Sequence, residues 1–179
     1  LLLCGISFLI LIQFNFKTVL LGLGSMILAF SYPFMKRITY WPQLFLGLTF
    51  NWGVIMGYTA ILDQISIEIV LLYVAAIFWT LGYDTIYGLQ DIEDDEIIGI
   101  KSTSIKFKGN IKLFVSTCYL ITFLFLIFFL QNSIGLNLST FFTFMFIFSL
   151  LYQIRVFNKN NSINCLKAFK INNVSGFFI

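Results

Sequence analysis

The chain contains no histidine, three cysteines and only eight acidic residues among 179 positions. The absence of histidine removes the imidazole base of hydrolytic triads and the usual ligand of haem and many zinc sites. Cys4, Cys118 and Cys165 show no CxxC spacing, so neither a zinc cluster nor a disulfide framework is implied. Cys4 and Cys118 lie inside apolar runs, where free cysteine acts as a small packing residue, and both are expected to be buried. Charge is scarce too, at 11% of residues against about 25% in soluble globular domains. Alternating polar and apolar runs are also missing, which excludes a transmembrane β-barrel.

What is present is hydrophobic: 59% of residues, with a mean hydropathy of +0.94. A water-soluble domain of this length has no interior large enough to hide that surface. The expected fold class is all-α, a polytopic transmembrane helix bundle. A helix needs about 20 apolar residues to cross the hydrocarbon core. Runs that qualify lie at about 18–35, 42–62, 66–83, 111–131 and 138–156. Residues 1–14 read as the end of one more span and 174–179 as the start of another. The chain begins at Leu1, inside an apolar run and without an initiator Met, so 1–179 is expected to be a single membrane domain truncated at both ends. No internal repeat or low-complexity linker divides it.

Counting connections gives an orientation. Loops at 34–41, 83–110 and 155–173 fall on one face, and those near 15–17, 61–67 and 131–137 on the other. The first face holds Lys36, Arg37, Lys101, Lys106, Lys108, Lys112, Arg155, Lys159, Lys167 and Lys170; the second holds only Lys17. Basic residues favour the cytoplasmic side, so the first face is assigned to the cytoplasm. Aromatic residues make up 19% of the chain, and most phenylalanines serve lipid-facing or core positions. Tyr40 and Trp41 fit interface anchors. Tyr32, Tyr83 and Tyr87 flank charged motifs, and they fit either interface anchors or rings around a hydrophobic, transiently cationic substrate. Gly53-Val54-Ile55-Met56-Gly57 is a small-xxx-small pattern that predicts a close helix contact.

Six of the eight acids (Asp84, Asp91, Glu93, Asp94, Asp95 and Glu96) crowd into residues 83–96. Asp91 and Asp95 are four apart, so a helix carries them on one face, one turn apart. Mg²⁺ prefers one or two carboxylates together with waters and substrate phosphates, so this spacing reads as a handle for a magnesium diphosphate. Asp84, a heptad before Asp91, is placed toward the same cavity. The bland alternative is a solvated acidic loop that holds off anionic lipid. An EF-hand-type calcium loop is a poorer match, because the D-x-D-x-D-G spacing and closing Glu are not met. A second element, Tyr32-Pro33-Phe34-Met35-Lys36-Arg37, stands on the same face. Pro33 is expected to break its helix at the interface. Lys36 can then clamp a diphosphate while Arg37 takes a carboxylate or phosphate. Alternatively, the two are ordinary positive-inside anchors.

Together, Tyr83-Asp84-Thr85, Asp91-Ile92-Glu93-Asp94-Asp95 and Ile98-Gly99-Ile100-Lys101-Ser102-Thr103-Ser104 resemble the second aspartate-rich region of the membrane-bound aromatic prenyltransferases of the UbiA type. Tyr32-Pro33-Phe34-Met35-Lys36-Arg37 looks like the Tyr-x-x-x-Lys segment of those members that act on 4-hydroxybenzoate. Cys165-Leu166-Lys167-Ala168-Phe169-Lys170-Ile171-Asn172-Asn173 resembles the segment before their final helix. The similarity covers essentially the whole chain in the right order. It implies part of a nine-helix bundle around a cavity open to the bilayer, with two aspartate-rich motifs that hold Mg²⁺ and the diphosphate of a polyprenyl donor. Asp91 and Asp95 correspond to the metal-binding pair. Tyr32, Lys36, Arg37, Tyr83, Tyr87 and Lys101 are expected to bind substrate, and Asp84, Lys36 and Arg37 to serve catalysis. The first motif, Asn-Asp-x-x-Asp, does not occur in these residues and is expected upstream of Leu1, so that this piece would be inactive alone.

The implied reaction transfers a polyprenyl group from polyprenyl diphosphate to the 3-position of 4-hydroxybenzoate in ubiquinone biosynthesis. The implied place is a bacterial or mitochondrial inner membrane, with the active site on the cytoplasmic or matrix face. Membrane lipid is an expected partner; nucleic acid and an obligate protein partner are not. Three other readings stay open at this point: a sibling enzyme with a naphthoate, haem or glycerol phosphate acceptor, a cation transporter using Asp91 and Asp95, and a structural subunit whose basic face binds anionic lipid.

Overall fold

The computed structural model describes residues 2–131 and 134–178, and among these no strand forms. Apolar runs become helices because a bilayer offers no water to satisfy backbone N–H and C=O groups. In order they are α1 (Leu2–Leu11), α2 (Phe16–Ile38), α3 (Pro42–Phe50), α4 (Trp52–Leu62), α5 (Ile67–Tyr87), α6 (Ile92–Ile98), α7 (Thr103–Lys106), α8 (Ile111–Leu130), α9 (Leu138–Val156), α10 (Ser162–Lys170) and α11 (Asn172–Ser175). A 3₁₀ turn over Gly176–Phe178 follows. Counting α3 and α4 as one interrupted span, five helices are long and apolar enough to cross a membrane. The fold is thus an all-α polytopic membrane bundle. Ile179, in the final expected span, Leu1, in the first, and residues 132–133 of the 131–137 connection lie outside the described residues.

Two local expectations change. Helix α2 runs through Pro33 and stops only at Thr39, whose N–H still reaches the Met35 carbonyl. Proline interrupts a single helical hydrogen bond, which a spanning helix tolerates, so Lys36 and Arg37 belong to its last turn rather than to a loop. The 42–62 run, by contrast, is interrupted at Asn51. There the side-chain amide donates to the Gly47 carbonyl (2.9 Å), the Ala76 carbonyl (3.2 Å) and Thr80 Oγ1 (2.8 Å), tying the break to α5.

Helix α5 is the centre of the bundle. Half of its spanning window is buried, against 11% for α2 and 28% for α8. One side packs on α8, α9 and α10 in a core that includes Ile86, Val115, Tyr119, Phe146 and Leu150; the other meets Ile55, Leu48 and Trp52 through Tyr73 and Ile77. Polar pairs buried in a bundle must close on themselves. Tyr119 donates to Gln153 Oε1 (2.5 Å), while Gln153 Nε2 donates to Asn172 Oδ1 (3.0 Å) and Ser175 Oγ (3.1 Å). Trp79 of α5 donates to the same Asn172 oxygen (3.1 Å). This network fastens the α10–α11 segment onto α5, α8 and α9.

Close approaches fall at glycines other than those the pattern suggested. No atom lies within 4 Å of a Cβ position at Gly53 or Gly57, so among the described residues their small-residue strip meets no helix. A smooth strip permits a close contact, but a neighbouring helix must lie across it. Tight approaches occur instead at Gly22 against the Leu11 side chain, at Gly47 against the Ile77 carbonyl (3.0 Å), and at Gly82, where a Cβ would run into the Tyr119 ring. Cys118 is buried, whereas Cys4 is exposed on α1, a helix with no buried residue among those described. Gly82→Val should therefore destabilise the protein by about 1–3 kcal/mol through overpacking at the α5–α8 contact. Thermal unfolding in detergent checks this, with Gly57→Val expected to leave the midpoint close to wild type.

Candidate active site

The acidic region is held against the end of α5 by a chain reversal. Helix α5 ends at Tyr87, and Gly88 lets the returning loop pack directly on the helix end, since a Cβ there would stand 2.6 Å from Ser104 Oγ. After α6, Gly99 adopts φ +76°, a left-handed conformation that favours glycine. Ser102-Thr103-Ser104 then returns to α5. Thr103 and Thr85 share a hydroxyl–hydroxyl bond (2.7 Å), Ser104 Oγ donates to the Thr85 carbonyl (2.8 Å), and the Thr103 N–H donates to Gln43 Oε1 on α3 (3.0 Å). Thr85, Thr103 and Ser104 are each 0% exposed. Each hydroxyl has a partner, so the clamp carries little desolvation penalty. A further backbone bond, Lys101 N–H to the Lys36 carbonyl (2.8 Å), joins the returning loop to the end of α2.

Between these elements lies a cleft of about 150 Å³, lined by Tyr32, Lys36, Gln43, Asp84, Tyr87, Asp91, Asp95 and Lys101, with Pro42, Gly88, Ile100 and Ser102 completing its wall. Asp91 occupies the cap position of α6, and its carbonyl accepts the Asp95 N–H (2.8 Å), so the two carboxylates stand one turn apart. Asp84 reaches the cleft by another route than heptad spacing. The helix is broken at Gly88, and folding of the chain, not helical register, brings Asp84 beside Asp91. Partial burial raises the Asp95 carboxyl above its ordinary pKa; Lys36 pulls it down, and Asp91 and Asp94 push it further up. Lys101 Nζ donates to the Ile38 carbonyl (3.2 Å) and stands 5.6 Å from the Tyr40 ring centre. Lys106 covers Trp41, which contacts the Phe107 and Phe114 ring edges.

Two residues singled out in the sequence do not line this cleft. Arg37 is exposed, one step around α2 from Lys36. Tyr83 instead packs between Trp79 (5.6 Å) and Phe169 (5.8 Å). Phe169 also sits 4.6 Å from Tyr87, joining the cleft edge to α10. Glu96 leaves the acidic group for Lys108, in an ion pair of 2.9 Å. The residues overlooked are Gln43, Gly88 and the buried hydroxyls of Thr85, Ser102, Thr103 and Ser104. Three consecutive hydroxyl residues next to a glycine turn, in so apolar a chain, were the signal for them.

A cation fits the carboxylates in one manner only. Among the described residues no three His, Cys, Asp or Glu side chains come together as a protein cage. A pair of carboxylates beside two lysines suits a hard cation that arrives with phosphate oxygens, which complete its shell and neutralise Lys36 and Lys101.

Fold and cleft together define a class: a polytopic helical membrane protein with an acid- and lysine-lined cleft where the ends of its spanning helices meet. The sequence pattern of the UbiA prenyltransferase family matches residues 1–174, and the chain belongs to that family. It is 53% identical over 108 residues to the mitochondrial 4-hydroxybenzoate polyprenyltransferase of Arabidopsis thaliana, a match covering 60% of this chain and 26% of that protein. The human mitochondrial 4-hydroxybenzoate polyprenyltransferase is 49% identical over 108 residues, 60% of this chain and 29% of its own length. The 4-hydroxybenzoate octaprenyltransferase of Pseudomonas fluorescens is 48% identical over 115 residues, 64% of this chain and 39% of its own length. The chain thus spans well under half the length of the relatives it matches. In fold it is similar to the apo structure of a UbiA homolog from Aeropyrum pernix K1, with a TM-score of 0.79 at 21% identity over 97% of this chain and 66% of that one.

The raised pKa of Asp95 has a stability consequence in the metal-free protein. A carboxyl with a folded pKa above its unfolded value favours folding when protonated, and that contribution is lost as pH rises through the folded pKa. At neutral pH the ionised group therefore costs stability. Asp95→Asn should raise the thermal midpoint at pH 7, and the gap from wild type should narrow as pH falls through the raised pKa and close below the ordinary carboxyl value of about 3.9. Thermal scans across pH, in chelator, check this.

Proposed function

We propose that this chain contributes active-site residues to a 4-hydroxybenzoate polyprenyltransferase of ubiquinone biosynthesis. The reaction moves a polyprenyl group from polyprenyl diphosphate to the 3-position of 4-hydroxybenzoate. The observation that carries the reading is the convergence of Asp84, Asp91 and Asp95 with Lys36 and Lys101 on one cleft at the helix ends. The names of the relatives, at about half identity over three fifths of the chain, support the same substrates. A transporter reading finds less support, since Asp91 and Asp95 lie off the spanning helices while transport sites sit near the bilayer midplane.

Asp91 and Asp95 hold the donor end of the cleft by binding Mg²⁺ together with the diphosphate. When bound, Mg²⁺ supplies charge neutralisation for the departing diphosphate. Lys36 and Lys101 present ammonium groups to the same oxygens, so positive charge already stands where negative charge develops. The allylic carbon–oxygen bond breaks, ring carbon 3 of the acceptor bonds to the allylic carbon, and the proton of carbon 3 is lost. Asp84, half-buried at the α5 end, accepts that proton. Tyr32 and Tyr87 border the path with ring faces that suit a transient allylic cation, and Tyr83 with Phe169 backs Tyr87. Arg37, outside the cleft wall, acts on substrate only during approach. The chain forms a single membrane domain in a bacterial or mitochondrial inner membrane. Ten of eleven basic residues lie on the face of the cleft, which supports a cytoplasmic or matrix site.

In the full-length protein, Asp91→Ala or Asp95→Ala should abolish Mg²⁺-dependent prenylation, and Lys36→Ala should lower kcat by about 100-fold or more. Arg37→Ala should cost clearly less than Lys36→Ala. Mass spectrometry of the product, with 4-hydroxybenzoate and a naphthoate offered in competition, reads activity and acceptor together. Wild-type turnover by the aspartate variants would sink the metal role, and preferential prenylation of the naphthoate would overturn the acceptor.

A further inference from the structure

Gln43 is a polar side chain more than nine-tenths buried, at 6% exposure, in the first turn of α3. It lines the same cleft as the carboxylates, yet neither charge pattern nor motif draws attention to it. Its amide orientation is set by one bond. The Thr103 N–H can only donate, so the group it meets at 3.0 Å must be the amide oxygen, Oε1. The amide nitrogen is thereby turned the other way, toward Gly88, another residue of the cleft wall, where it would stand 3.4 Å from a Cβ. Among the described residues Nε2 has no hydrogen-bond partner. No buried side-chain nitrogen or oxygen among the described residues lacks a partner, so this amide nitrogen opens onto the cleft, where water or a ligand oxygen can accept from it.

We infer that Gln43 is a substrate-binding residue, its Nε2–H donating to an oxygen acceptor on the molecule bound in the cleft while its Oε1 holds the returning loop. The inference rests on the prenyl-transfer reading above. The acceptor oxygen belongs either to the diphosphate of the donor or to the carboxylate or phenol of the aromatic substrate. Both are anionic or readily polarised oxygens, which a fixed amide recognises by direction rather than by charge. Gln43 and Gly88 both line the cleft, and a Cβ at Gly88 would crowd the amide nitrogen. The two ends of one amide thus join loop position to substrate contact: Oε1 fixes Thr103, two residues after Lys101, and Nε2 meets the ligand.

Gln43→Glu separates these roles. It keeps an oxygen for the Thr103 N–H and replaces the donor with a second acceptor. In the full-length protein the variant should keep the wild-type thermal midpoint and raise KM about 10–100-fold for one substrate, the loss of a hydrogen bond to an anionic group. A rise confined to polyprenyl diphosphate assigns the contact to diphosphate; one confined to 4-hydroxybenzoate assigns it to the aromatic acceptor. Thr122→Val serves as the control, because it removes a buried hydrogen bond to the Ala75 carbonyl of α5 at a position that does not line the cleft, and it should leave both KM values within about twofold. Wild-type KM values in Gln43→Glu, or the same KM rise in Thr122→Val, would overturn the inference. Should Gln43→Glu shift the midpoint, Gln43→Met, which removes both the donor and the Thr103 acceptor, is read by selectivity: a KM rise for one substrate alone supports the contact, and equal rises for both, as a loosened loop would give, overturn it. Wild-type protein that prenylates nothing would instead count against the proposed function, so the two failures are distinct.

Discussion

Helix α5 can occupy the middle of this bundle because the buried polar groups along it find partners away from water. In an apolar surrounding an unpaired amide or hydroxyl costs several times what its pairing returns, so partners are recruited from whatever element lies nearest. Thr80 receives Asn51, Trp79 reaches Asn172, the Ala75 carbonyl accepts from Thr122 (3.3 Å), and Thr85 joins Thr103. Each pair fastens a different part of the chain to the same helix. The cleft at the α5 end is the outcome of those attachments, not a separate feature added to the bundle.

The acids of residues 83–96 divide under this constraint. Asp84 stays on α5, Asp91 and Asp95 are turned inward by α6, and Glu96 is drawn outward to Lys108. Lysines divide in the same way: Lys36 and Lys101 border the cleft, while Lys106 lies over Trp41. Opposite charges at the cleft are held near each other without direct pairing. That arrangement keeps the groups free for a ligand carrying both a hard cation and phosphate oxygens. It also accounts for the elevated pKa of Asp95, whose partial burial outweighs the help of Lys36.

Much of this was legible without coordinates. Long apolar runs name spanning helices because the bilayer leaves the backbone no alternative, and the spacing of Asp91 and Asp95 puts both on one turn. Local rules failed where a long-range contact decided. Pro33 should have stopped α2, yet the helix continues to Ile38. Gly53 and Gly57 should have met a helix, yet tight contacts fall instead at Gly22, Gly47 and Gly82. Arg37 looked equivalent to Lys36, but one step of helical rotation removes it from the cleft wall.

By itself the sequence determined the all-α membrane class, the turn shared by Asp91 and Asp95, and the basic bias of one face. These follow from hydropathy, from helical period and from charge, which act over a few residues at a time. The tertiary structure alone decided which of those residues share a cavity. Asp84 meets Asp91 because the chain reverses after α5, and the reversal holds because Thr103 and Ser104 return to Thr85 and Gln43, with Gly88 leaving space for Ser104. Gln43 and Thr103 are 60 residues apart. No local pattern encodes a bond of that span, since it exists only once α3 and α5 are packed together.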